Sequence, residues 1–307
     1  MHATGFVYDP IFLRHETPPG HPERKDRLIA IVDALRAAPF WNDLVQLSPR
    51  KASYDDIALV HTPKYIESIR SSGSGYLDPD TYLSEESLDS ALYAAGAVIE
   101  AVERCKTGEI SRAFCAVRPP GHHAEANRAM GFCIFNNVAV GARYAQRRGY
   151  RKVFIIDFDV HHGNGTQHMF EEDDTVFYFS THQFPHYPGT GRAADRGRGR
   201  GEGFTYNIPM EYGAGDKEYF SAYSEVLPDL MRNFGPDLVL VSAGYDIHAS
   251  DPLSGIQVTT EGIRNIVYSI LCCPIGLPVP HLFALEGGYN LRALAEGVTV
   301  TIEEMMK

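Results

Sequence analysis

Short, continuously apolar runs alternate along this chain with segments whose apolar positions recur at helical spacing. RAFCAVRPPG (112–121), KVFIIDFD (152–159), TVFYFST (175–181), DLVLVSAGYD (237–246) and HLFALEGGYN (281–290) read as strands. Each is apolar without alternation, as expected of strands buried on both faces of a parallel sheet. Between them lie amphipathic stretches. The clearest is SEESLDSALYAAGAVIEAVERCKTG (84–108), for which Ser84 is the predicted N-cap and Gly108 the predicted stop. FNNVAVGARYAQRRGY (135–150) is another. The β-α-β-α order predicts an α/β domain with helices on both faces of the sheet.

The polar residues interrupt this pattern in one kind of place. RPPGHH, DFDVHHGNG, AGYD and EGGY each follow an apolar strand directly. Ligands of open α/β sheets bind beyond the carboxyl ends of the strands. Four polar clusters at four strand ends are therefore expected to converge on one site.

Composition narrows the picture. With 307 residues and 44% hydrophobic positions, the chain has material for one large core, and a single domain over 1–307 is expected. The formal net charge of −11 argues against non-specific binding to nucleic acid or to an anionic membrane surface. The five cysteines are Cys105, Cys115, Cys133, Cys272 and Cys273; their odd number and the lack of a CxxC pair predict buried or inert thiols in a reducing compartment. MHATGFVYDP has no basic start followed by an apolar stretch, and no run of about 18 apolar residues occurs, so a cytoplasmic location is expected. The segments 71–80 and 191–203 read as loops, the second either solvated or forming an active-site rim.

The stretch IIDFDVHHGNG (155–165) carries the chemistry. Residues at i, i+2 and i+4 of an extended chain face one side, so Asp159 and His161 can reach one metal ion together, and Asp246 at another strand end is the candidate third ligand. Two carboxylates and one imidazole leave a position open for water, as in a catalytic zinc site. The same spacing also suits a two-metal manganese or magnesium site. His122 and His123 form a candidate acid–base pair, and Tyr289 on its glycine corner could donate to a carbonyl or oxyanion.

Together, RPPGHHA…GFCIFNN, DFDVHHGNGTQ, SAGYDIHASDPLSG, LEGGYNL and the earlier HPERKDRL (21–28) resemble the zinc-dependent histone deacetylase superfamily, over about residues 5–300. Asn164 and Glu286 look like the class II enzymes and their bacterial relatives. The resemblance implies an arginase-like deacetylase fold with a mostly parallel sheet of about eight strands. It implies Asp159, His161 and Asp246 as zinc ligands, and His122, His123 and Tyr289 as catalytic groups, with Asp157 and Asn164 orienting the two imidazoles. It also implies an acyl-lysine channel walled by Phe132 and Tyr187, with a Gly131 carbonyl contact and a rim aspartate. Asp80 is assigned to that rim, with Asp78 its competitor. Potassium is implied near Asp157, Asp159, His161, Ser180 and Thr181.

The expected activity is removal of acetyl or other acyl groups from lysine side chains in peptides or proteins. The alternative substrate is an acetylated polyamine. Polyamine-preferring relatives tend to carry glutamate after the Asp-Pro of the ligand loop, whereas this chain has Leu253 after Asp251-Pro252. Two other classes are a two-metal ureohydrolase, which would need a D-x-H-x-D pattern, and a non-catalytic zinc or acyl-lysine binder, which would have lost the tyrosine or a histidine. Tyr289, His122 and His123 are all present.

Overall fold

A computed structural model describes residues 3–273 and 278–307; Met1 and His2, the start of the stretch read for targeting, lie outside it. The strands are β1 (Thr4–Val7), β2 (Val45–Leu47), β3 (Gly75–Tyr76), β4 (Tyr82–Leu83), β5 (Arg112–Cys115), β6 (Val153–Asp157), β7 (Val176–Gln183), β8 (Thr205–Met210), β9 (Leu238–Ala243) and β10 (His281–Leu285). Eight of them form one sheet in the order β2-β1-β5-β10-β9-β6-β7-β8. Every pairing in it is parallel. β3 and β4 make a two-residue antiparallel ladder apart from it.

All five apolar runs singled out above are strands of this sheet. β6, β7, β9 and β10 are buried at every position, which is why they show no alternation. Because crossovers between parallel strands are right-handed, the direction of each step fixes which face its helix covers. Helices Asp26–Ala37, Thr260–Leu271 and Leu291–Met305 pack together on one face, and Ser87–Lys106 and Asn137–Arg147 pack together on the other. No helix among the described residues is long and apolar enough to cross a membrane.

One local expectation, the cap of the long helix, is corrected. The long helix starts at Ser87, not after Ser84, and its N-cap position is Glu86 with no side-chain cap. The Ser84 amide instead donates to Ser87 Oγ at 2.7 Å, and that hydroxyl also meets His15 Nδ1 at 2.7 Å. The predicted stop does occur at Gly108, with φ of 76°. Cys105, Cys115 and Cys133 are buried, but Cys272 is exposed. The 191–203 loop lies away from the rim: Arg198 pairs with Glu171 and Glu172, and none of the loop's residues lines the pocket described next.

Candidate active site

β6 ends at Asp157, but its in–out alternation continues past the last ladder pair. Phe158 and Val160 are buried in the core, while Asp157, Asp159 and His161 turn to the other side. Asp246 arrives three residues beyond β9. Ligand atoms of Asp159, His161 and Asp246 all lie within 4.8 Å of one another. Nδ1 of His161 is 3.0 Å from Asp159 Oδ1 and 3.2 Å from Asp246 Oδ2.

The outer oxygens of the two carboxylates are pinned by backbone donors. Asp159 Oδ2 accepts from Gly287 N at 2.7 Å, and Asp246 Oδ1 accepts from Val160 N at 2.9 Å. A Cβ on Gly287 would overlap Asp246 Oδ2 and Asp159 Oδ2, and one on Gly244 would overlap Asp159. Both glycines are therefore needed for the close approach of their loops.

The set fits a divalent cation. Asp246 Oδ2 is buried and, although His161 Nδ1 lies 3.2 Å away, accepts no well-aligned hydrogen bond among the described residues. Burial, and then the Asp159 carboxylate, hold the Asp246 carboxyl up at about 7. An unneutralised buried carboxylate pair is costly, and a cation between the two removes that cost. An Asp₂His donor set is one that zinc accepts.

His122 and His123 follow β5 and the Pro-Pro-Gly turn. His122 Nδ1 is 3.0 Å from Asp157 Oδ2, which also accepts from the Tyr178 hydroxyl at 3.1 Å. His123 Nδ1 is 2.8 Å from Asn164 Oδ1. Burial works against a charged His122, but the Asp157, Asp159 and Glu286 carboxylates outweigh it and raise its pKa to about 10. Burial, then the neighbouring His122 and His161, push His123 well below the ordinary histidine value. Glu286 Oε2 accepts from the Gly121 and His122 amides at 2.6 and 3.2 Å, anchoring this turn to the end of β10. Burial raises the Glu286 carboxyl to about 7.

Tyr289 stands on the Gly287–Gly288 corner after β10. Its amide donates to Asp251 Oδ2 at 2.6 Å, and the Arg27 guanidinium lies 5.1 Å from its ring centre. Arg27 also donates to the carbonyls of Gly288 and Glu286, both at 2.6 Å. Burial, and then the Asp246 carboxylate, keep the Tyr289 phenol well above its usual pKa, so its proton is retained.

Above these groups a narrow pocket of about 80 Å³ is lined by Asp80, Pro120, His122, His123, Gly131, Phe132, His161, Tyr187, Leu253, Gly287 and Tyr289. The Tyr187 ring meets His123 edge-on at 5.1 Å, and Phe132 meets Tyr289 at 6.0 Å. Phe132 has φ of 68°, a strained value for a bulky residue. It is held there by donation from its amide to Thr81 Oγ1 at 3.0 Å and by the His21 ring at 4.7 Å. Of the two rim candidates, Asp80 lines the pocket and accepts from the Gly131 amide at 3.2 Å, whereas Asp78 caps its own turn through the amides of Asp80 and Thr81. Ser180 sits opposite Asp157 in the β6–β7 register, with Thr181 next to it. Their hydroxyls are engaged by His182 (2.8 Å) and Tyr223 (2.9 Å).

The residues singled out from sequence thus meet at the carboxyl edge of β5, β6, β9 and β10. Sequence reasoning assigned no role to Glu23, Arg27 and Arg118, a buried ion cluster in which Glu23 bridges both arginines. It also missed Glu125 and His168 behind Asn164. HPERKDRL carried a signal for Glu23 and Arg27, but only through resemblance.

The histone deacetylase domain matches residues 21–305. This chain belongs to the histone deacetylase family. It is 38% identical to the "Probable deacetylase" of Archaeoglobus fulgidus over 94% of this chain and 82% of that protein. It is 36% identical to the human "Polyamine deacetylase HDAC10" over 100% of this chain, which spans 47% of that longer protein. A solved structure described as the HDA15 HD domain superposes with a TM-score of 0.93 at 38% identity, covering 98% of this chain and 90% of that one. As a member of the family the chain is a hydrolytic deacetylase with an arginase-like α/β fold.

Proposed function

We propose that this deacetylase hydrolyses the side-chain amide of acetyl-lysine in peptides or proteins, with zinc held by Asp159, His161 and Asp246. The observation that carries the reading is the juxtaposition, at the foot of one narrow pocket, of that ligand set with the His122–His123 pair and Tyr289. A zinc ion there supplies Lewis acidity, polarising the acetyl carbonyl and making a water more acidic.

The chain's own residues do the rest. Phe132 and Tyr187 flank the methylene stem of the acyl-lysine, the Gly131 carbonyl accepts from its amide N–H, and Asp80 holds the substrate backbone at the rim. Neutral His123 takes a proton from the attacking water on Nε2 and returns it to the leaving lysine amine. His122, kept as an imidazolium by Asp157, and the Tyr289 hydroxyl donate to the oxygen on which negative charge develops. Two adjacent imidazoles are thereby held in different protonation states by different partners. Potassium beside Asp157, Asp159, His161, Ser180 and Thr181 belongs to this reading, and would be held partly through backbone carbonyls.

Leu253 favours acetyl-lysine over a polyamine. It lies in the pocket lining, where the distal ammonium of a polyamine would need a carboxylate, and Asp80 is the only acidic side chain in that lining. The test is kcat/KM for an acetyl-lysine peptide and for acetylated spermidine, side by side, with zinc-loaded enzyme. The peptide is expected to win by tenfold or more, a difference of roughly 1.4 kcal/mol. A polyamine preference would overturn the substrate assignment and leave the chemistry standing.

A further inference from the structure

Asn164 is neutral, yet its amide is not free to turn. Its Nδ2 lies 2.6 Å from Glu125 Oε1, 3.3 Å from the His123 carbonyl and 3.4 Å from Met130 Sδ. All three are acceptors. An amide rotated by 180° would set Oδ1 against all of them, so the NH₂ must face Glu125 and Oδ1 must face His123 Nδ1 at 2.8 Å. An acceptor at that position requires the proton on Nδ1, and the lone pair of His123 is left on Nε2. Glu125 is itself fixed. His168, on the exposed side of helix Asn164–Phe170, brings Nδ1 to 2.8 Å from the same Oε1 and has to be the donor, since a carboxylate only accepts. The charge that a neutral Asn164 lacks is thus supplied one residue further out.

We propose that Glu125, held by His168, is a positioning residue that locks the His123 tautomer through the Asn164 amide. It touches neither substrate nor metal; it decides which ring nitrogen of His123 faces the reaction. The inference rests on the assignment of His123 as general base. Retention of the proton by His168 fits the arrangement: its hydrogen bond to Glu125 raises its pKa, with burial and Arg128 opposing.

The test is a polarity exchange. Asn164→Asp alone puts two carboxylates at the 2.6 Å contact with Glu125, and Glu125→Gln alone offers Asn164 an amide that can present either end. Each is expected to lower kcat with little change in KM, the first by roughly 10²-fold, within the range for losing a positioned base. Combining Asn164→Asp with Glu125→Gln restores one donor facing one acceptor and is expected to recover kcat above Asn164→Asp alone. A purely structural role for Glu125 predicts no such recovery, and a double variant no better than Asn164→Asp would overturn the proposal. The second readout needs no turnover and no double variant. In ¹⁵N-histidine-labelled protein, His123 is expected as the Nδ1–H tautomer in the wild type and as a mixture in Glu125→Gln; an unchanged tautomer overturns the lock. If the wild type hydrolyses no acetyl amide, the proposed function fails, and the tautomer measurement still decides the lock.

Discussion

The rings of His122 and His123 lie with their centres 4.0 Å apart, yet Nδ1 of the first faces the carboxylate of Asp157 and Nδ1 of the second faces the amide of Asn164. Sequence neighbours in the same buried space are therefore driven in opposite directions. The carboxylate holds a proton on one ring, and burial beside a cation keeps it off the other.

The two histidines are accordingly not interchangeable. His123→Ala is expected to lower kcat by roughly 10²–10⁴-fold, the usual cost of removing a general acid–base group. Asp157→Asn removes the charge that favours the His122 imidazolium and is expected to lower kcat with KM little changed. Steady-state kinetics with an acetyl-lysine peptide checks both. Near-normal kcat in Asp157→Asn would show that a charged His122 is not used.

Tyr289→Phe removes one hydroxyl and leaves the ring packed beneath the Arg27 guanidinium. Because the phenol keeps its proton, its contribution is that of a hydrogen-bond donor. Turnover is expected to drop by roughly 10²-fold or more, the scale for losing one oxyanion donor. Zinc content should stay at the wild-type value; a variant that loses zinc along with turnover would point to a structural role for Tyr289.

What the sequence made legible follows from the physics of each feature. The central strands were readable because burial on both faces leaves short, continuous apolar runs that end abruptly in polar residues. Asp159 and His161 were readable because their spacing is local to one extended segment. Asp246 needed the further premise that strand ends converge. Glu125 and His168 were not readable: the Glu125–Asn164 contact joins residues 39 apart and the Glu125–His168 contact residues 43 apart, and neither lies on a strand. Ser84 misled because a serine ahead of an apolar run is a good cap by local rules. Ser87 Oγ instead takes the Ser84 amide and ties the turn to His15, a tertiary contact that overrides the local preference.

Gly287 tests the metal assignment without replacing a ligand. A side-chain carbon there would overlap the oxygens of both Asp159 and Asp246. Gly287→Ala is expected to lower zinc stoichiometry well below one per chain while the far-ultraviolet circular dichroism is unchanged. Full zinc occupancy in the variant would mean that Asp159 and Asp246 are not the ligand pair. Asp246→Ala, which removes one ligand outright, should show the same loss.

Buried neutral histidines set the acid limit of the fold. His61 Nε2 accepts from the Asn136 amide at 2.9 Å, and Nδ1 donates to the Glu125 carbonyl at 3.0 Å, so both nitrogens are satisfied only in the uncharged ring. Burial pushes its pKa down to about 4, and those of His182 and His281 likewise. The unfolded chain, with histidine near 6.5, binds more protons than the folded one between about 6.5 and 4. Stability therefore falls as pH drops through that window and levels off below it, by up to about 3 kcal/mol for each such group. Glutamine at position 61 can reproduce one donor and one acceptor but cannot be protonated there. His61→Gln is expected to be less stable than the wild type at pH 7, since the ring's packing against Tyr65 and Phe135 is lost, and to show a shallower decline towards pH 4. Urea unfolding at pH 7, 5.5 and 4.5, with zinc in excess, reads the slope directly. Equal slopes for the two proteins would mean that His61 is not one of the groups that must charge on unfolding.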